Sequence, residues 1–306
     1  MILIRLALYL TLTLPAGLAS FGLLVTPGER GRGVASRPAM LASAVLAMIG
    51  SMIWLPLVAA QMAGTSAWPV ELATVQLILG STAVGTAWLI RMAALLAAIA
   101  AMARPIDGRA RLTFIAASFC IALGSLAWTG HGVVGDGAAG WLHLGADILH
   151  LVASAIWIGA LVRLTAMAMR RTALVDEGHL RATHDALRAF GPVGIVVVGA
   201  LVVTGLINGW SLLGPDALGS LVGSDYGRLL IAKLALFGIM LALAGLNRVR
   251  FTPAFRTAIS RSSPRGALRV LRFGLIVETT AAILVLGLLA WLGTLEPPVA
   301  SPWPQA

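Results

Sequence analysis

The sequence predicts an all-α integral membrane protein, a bundle of eight transmembrane helices with both termini on the outer side. Three observations lead there. Of the 306 residues, 59% are hydrophobic and only 11% charged, against roughly a quarter charged in a soluble domain. So little charge cannot cover a water-soluble fold, so lipid solvates most of the chain. Apolar runs long enough to cross a bilayer recur eight times, and basic residues gather in every second connection.

An α-helix needs about 20 apolar residues to cross the hydrocarbon core. The runs are 2–25, 39–63, 83–103, 112–129, 142–169, 188–212, 227–247 and 270–293. The first shares features with a secretion signal, Arg5 ahead of an apolar run and small residues from Ala16 to Ser20. Its run is long and no clean cleavage site follows, so it reads as a retained helix. Residues 68–82 are also apolar, and Glu71 and Gln76 leave two readings, an interfacial segment or an early start of the third helix. The fourth run is short; the fifth is long enough to tilt or project.

Arg30, Arg32 and Arg37 lie in the first connection and Arg104, Arg109 and Arg111 in the third. Arg170, Arg171, Arg181 and Arg188 lie in the fifth, and Arg248, Arg250, Arg256, Arg261, Arg265, Arg269 and Arg272 in the seventh. The second, fourth and sixth connections, and the tail after 293, contain no Arg or Lys. Positive residues resist translocation, which makes the odd connections cytoplasmic and both termini periplasmic. The acids Glu71, Asp136, Asp216, Asp225 and Glu296 fall on the outer side. The net charge of +10 therefore belongs to membrane boundaries and not to nucleic acid. The longest connection, about 248–269, is predicted to be a basic loop suited to anionic head groups. A lone Cys120 excludes an intrachain disulfide and a CxxC metal site. There is no nucleotide-binding glycine pattern, HExxH or serine-centred elbow, and the 34 glycines fit close helix packing.

Ionisable groups inside a bilayer are expensive and face a cavity or a partner. The densest cluster opens the fifth span, where His143, Asp147 and His150 stand at i, i+4 and i+7 and so share one helical face. His131 precedes them on the outer connection, whereas His179 and His184 fall in a cytoplasmic connection and are expected to be solvated. Imidazole suits copper, zinc or iron, and Asp147 can ligate or orient an imidazole. The backbones of residues 143 and 150 are about 10 Å apart along the axis. Three arrangements remain: joining ligands from other helices, a series of stations for an entering ion, or an interhelical hydrogen-bond network.

Glu278, mid-way along the last span, can hold a cation, carry a proton, or neutralise Arg91, Arg163 or Lys233. Arg228 can snorkel to the surface, whereas the deeper Lys233 needs a carboxylate. Asn208 reads as a helix–helix hydrogen bond or an ion contact. Thioethers suit Cu(I), which makes Met52 and Met62 candidates against the plainer reading as apolar packing. Cys120 reads as a small packed apolar residue.

The sequence resembles the copper resistance protein D (CopD) family of bacterial inner-membrane proteins. The match rests on Gly130-His131, on His150-Leu151-Val152-Ala153-Ser154-Ala155-Ile156-Trp157-Ile158-Gly159, on Tyr226-Gly227-Arg228-Leu229-Leu230-Ile231-Ala232-Lys233, on Asn247-Arg248, and on Glu278 with Leu292-Gly293-Thr294 and Pro297-Pro298. These stretches delimit a CopD-like half over 128–298, after an N-terminal four-helix half over 1–127 that matches more loosely and before a periplasmic tail, 299–306. The resemblance implies an eight-helix copper-handling membrane protein working beside a periplasmic CopC-like copper-binding partner. It carries over His131, His150, Tyr226, Arg228, Lys233 and Glu278; the role of His143 rests on spacing alone. The family commonly has Phe-Ser where Phe190 is here followed by Gly191 and Pro192.

The expected function is passage of copper ions from the periplasmic face through the bundle toward the cytoplasm, with His131, His143 and His150 as receiving ligands beside Asp147. A different class remains open: a haem b electron-transfer protein, with His131 and His150 as candidate axial ligands, reducing Cu(II) at the periplasmic face. A third is an assembly subunit whose polar face binds a partner chain.

Overall fold

A computed structural model of the chain describes residues 1–25, 36–64, 72–104, 108–129, 137–170, 176–213, 223–261 and 263–295. The described residues are almost entirely helical. Among the described residues, eight helices are long and apolar enough to cross a membrane, as the sequence predicts. The first three spans are α1 (Ile2–Leu24), α2 (Arg37–Ala63) and, after the short α3 (Leu72–Ser81), α4 (Ala83–Ala103). Next come α5 (Gly108–Gly124), extended by a 3₁₀ turn over Ser125–Thr129, α6 (Gly137–Ala168) and α7 (Glu177–Leu213). The chain closes with α8 (Asp225–Leu246), a π-helical turn (Asn247–Phe251), α9 (Thr252–Ser260) and α10 (Arg265–Leu292).

The segment before the third span settles as a separate helix, too short to cross. Thr82 ends it and caps α4: its hydroxyl donates to the Ile78 carbonyl (2.8 Å) and accepts from the Gly85 N–H (3.0 Å). Gly85 allows the corner, because a Cβ there would collide with the backbone of Ile78 and Leu79. The seventh connection differs from expectation. It is helical through Ser260, because Asn247–Phe251 widens into a π turn that carries α8 directly into α9. Arginine does not break a helix, and the buried Phe255 anchors α9 while Arg256 and Arg261 stay exposed.

The first helix is central, packing against α2, α5, α6 and α10. Its closest approach is to α6. A Cβ on Gly17 would strike the Ala155 carbonyl and one on Gly159 the backbone of Gly17. Two bare backbones therefore meet where a small-residue crossing is needed. This crossing fixes α6, the helix bearing the polar stripe, in the middle of the bundle. Its far end is held by Arg272 of α10, whose guanidinium donates to the carbonyls of Ala168 (2.7 Å) and Arg170 (2.9 Å).

Candidate functional site

Helix α6 presents its polar residues to two neighbours at two depths. At the shallower level, nearer Gly137, Asp147 and His150 meet α7. The Asn208 amide donates to Asp147 Oδ1 at 3.3 Å, and His150 Nδ1 lies 2.9 Å from Thr204 Oγ1. Thr204 and Asn208 are one turn apart, so two successive turns of α6 match two of α7. The Thr204 hydroxyl has one proton, and it donates this to the Ala200 carbonyl at 2.6 Å. His150 must then be the donor at Nδ1, leaving Nε2 with its lone pair available as an acceptor or metal ligand. Gly205 leaves room beside the ring, since a Cβ there would sit 3.7 Å from His150 Cε1.

Charge converges on the same level from two further helices. Lys233 of α8 lies within electrostatic reach of both Asp147 and His150. Tyr226 of α8 and Tyr9 of α1, both buried, also feel Asp147, and Tyr9 interacts in turn with Arg5 and Arg91. Sequence spacing missed Tyr9 and Thr204, because periodicity reveals which residues share one helix, not which residues of other helices face them.

Ten ångströms or so deeper on the same stripe, seven residues along at about 1.5 Å each, stands Trp157. Its indole N–H donates to Glu278 Oε1 at 3.3 Å. The other carboxylate oxygen accepts from the Asn247 amide at 2.9 Å. Glu278 is 2% exposed. Of the three readings of Glu278, neutralising Arg91, Arg163 or Lys233 is not what the described residues show: its polar partners among them are Trp157 and Asn247, both neutral. Arg91 is instead held between α2 and α5, with Nε donating to Ser125 Oγ at 2.9 Å and its guanidinium carbon 5.5 Å from the Trp54 ring centroid.

The remaining candidates scatter. His143 is buried on α6, one turn before Asp147, and His131 lies outside the described residues. Met52 and Met62 are about 60% exposed on the outer surface of α2, turned away from the bundle. Cys120 packs against the core. Arg228 is exposed in the first turn of α8, 3.5 Å from Asp225. His179 is not simply solvated, because its Nε2 contacts the Met167 carbonyl at 2.9 Å and its backbone N–H is capped by Asp176. Among the described residues, no three His, Cys, Asp or Glu side chains converge on one point. The histidines near the stripe, His143 and His150, both project from α6, so the described residues supply no facing-helix histidine pair for a haem.

Residues 1–141 match the copper resistance protein D-like N-terminal domain, and residues 184–292 match the copper resistance protein D domain. Copper resistance protein D of Pseudomonas syringae pv. tomato is 39% identical over 298 residues, 96% of each chain. The chain belongs to the copper resistance protein D family. Shorter similarities reach the copper transport protein CutJ of Bacillus subtilis, 31% identical over 44% of this chain and 24% of that one, and the inner membrane protein YebZ of Escherichia coli, 27% identical over 56% and 55%. No solved structure matches. The second family domain contains Thr204, Asn208, Lys233, Asn247 and Glu278, whereas His143, Asp147, His150 and Trp157 of α6 fall between the two matched ranges.

Proposed function

We propose that this member of the copper resistance protein D family handles copper, receiving ions beside Asp147 and His150 and passing them along α6 through the bundle. The carrying observation is the 2.9 Å contact of His150 Nδ1 with the Thr204 hydroxyl, from which the tautomer of His150 is inferred. Its Nδ1 proton is engaged by Thr204, so the Nε2 lone pair is presented at the level of a carboxylate and a lysine. Orientation of an imidazole through its other nitrogen is how proteins prepare a metal ligand. The names of the relatives, copper resistance protein D and copper transport protein CutJ, support the same cargo.

Basic residues in alternate connections support a topology with both termini periplasmic, in the inner membrane of a bacterium. Asp147 and His150 then lie in the outer half of the bundle and Glu278 deeper, so copper moves from the periplasmic face toward the cytoplasm. His143, one turn before Asp147 on α6, extends the receiving site, His131 of the preceding connection is a further candidate ligand, and a periplasmic CopC-like protein delivers the ion. The C-terminal half, 128–298, carries the path; the N-terminal half, 1–127, supplies α1 as the central support and Tyr9 as a neighbour of Asp147. Glu278 compensates charge below the receiving site.

Alanine at His150 is expected to abolish copper accumulation in cells while leaving the protein inserted at its normal level. Unchanged accumulation in His150→Ala removes this site from the path.

A further inference from the structure

We propose that Glu278 is a proton-binding site that gives up its proton as copper crosses and regains it afterwards, an inference that takes its cargo from the copper-passage reading above. Glu278 is buried at mid-length in α10, and both carboxylate oxygens are engaged, one by the Trp157 indole and one by the Asn247 amide. Neither donor carries charge.

The charged groups on the surrounding helices are engaged elsewhere. Arg5 of α1 lies over Gly293, Lys233 of α8 serves Asp147, and Arg248 of the π turn donates to the Gly191 carbonyl at 2.9 Å. Arg272 of α10 is bound to carbonyls at the end of α6, Arg256 of α9 is exposed, and Arg163 of α6 does not act on Glu278. His150 stands seven residues up α6. A carboxylate in the membrane interior with no counter-charge is strongly disfavoured, and a proton or an approaching cation removes the penalty.

The surrounding groups suit both states. Ionised, Glu278 accepts from the two N–H donors. Protonated, it needs an acceptor, and a half-turn of the Asn247 amide puts the amide oxygen where the nitrogen now stands, 2.9 Å from Oε2. That oxygen, Asn247 Oδ1, is buried without a hydrogen bond among the described residues, so turning it inward breaks no bond at that end. The backbone is shaped for this amide. The π turn begins at Asn247, and π turns inside helices mark functional sites. Gly274, one turn before Glu278, makes the space: a Cβ there would lie 3.2 Å from Asn247 Oδ1 and 3.4 Å from the Phe251 ring.

The step is a simple exchange. The O–H bond of the Glu278 carboxyl breaks, a proton leaves to water, and the carboxylate left behind balances the charge of the passing ion. No electron moves.

Infrared difference spectroscopy on the purified protein in lipid nanodiscs tests the site without transport. The wild type is expected to show a protonated-carboxyl C=O band that is absent in Glu278→Gln, displaced in Asn247→Leu, and weakened when copper is added. Identical spectra for wild type and Glu278→Gln across the pH range overturn the proposal. In vesicles holding a pH-sensitive dye, copper addition is expected to move protons with wild-type protein and not with Glu278→Gln, and equal proton movement also overturns it. If wild-type vesicles take up no copper, the passage reading fails, and the infrared band alone then decides whether Glu278 exchanges a proton.

Discussion

The two carboxylates beside α6, Asp147 and Glu278, are held in opposite ways. Asp147 accepts from Asn208 and lies within electrostatic reach of Lys233, so part of its charge is offset by the protein itself. Among the described residues the polar partners of Glu278 are an indole and an amide, neither of them charged, which is the basis for proposing that its charge is balanced by a group that comes and goes. A carboxylate with a permanent partner suits positioning, and one without suits exchange. Asp147 stands on α6 and Glu278 faces it from α10, and what distinguishes them is the groups on the helices around each.

The largest effect expected from this contrast is on stability. Asp147→Asn removes the carboxylate that acts on Lys233 and is expected to destabilise by about 3 kcal/mol, with the double variant Asp147→Asn, Lys233→Met recovering most of the loss. Glu278→Gln replaces a carboxyl proposed to rest protonated by a neutral group of the same shape and is expected to leave thermal stability within about 1 kcal/mol of wild type or to raise it. Thermal unfolding in detergent checks both, and equal destabilisation by the two single variants breaks the comparison.

Next in size is the hold on His150. Thr204→Val removes the acceptor for Nδ1–H and is expected to weaken copper binding by about 10–100-fold, with Thr204→Ser close to wild type. Equilibrium titration measures this, and unchanged affinity in Thr204→Val means the hydroxyl does not prepare the ring. The smallest effect belongs to Asn208→Ala. It deletes one interhelical hydrogen bond to Asp147, worth about 0.6 kcal/mol in membranes, and is expected to leave copper binding nearly unchanged. A loss as large as that of Thr204→Val makes Asn208 a participant and not a packing contact.

Much of the architecture was legible in the chain. The eight apolar runs and the helices agree because burial in lipid demands an unbroken helix and leaves few alternatives. The π turn and α9 were not legible: a run with Arg248, Arg250 and Arg256 reads as a loop by hydropathy, although arginine is a good helix former. At the site, the i, i+4, i+7 spacing found Asp147 and His150, because one helix carries both. It missed Thr204, Tyr9 and Trp157 as partners, and a basic neighbour is one of three readings of Glu278, where the structure places an indole and an amide. Those contacts depend on how α1, α7, α8 and α10 rotate against α6, which no single-helix period encodes. Met52 and Met62 were chosen on ligand chemistry alone, and their helix turns them outward.

Direct copper binding to purified His150→Ala and Glu278→Gln, side by side with wild type, tests the central claim most closely. The separation of a receiving site from a deeper exchange site predicts that His150→Ala loses copper affinity while Glu278→Gln keeps it. Wild-type affinity in His150→Ala contradicts the account.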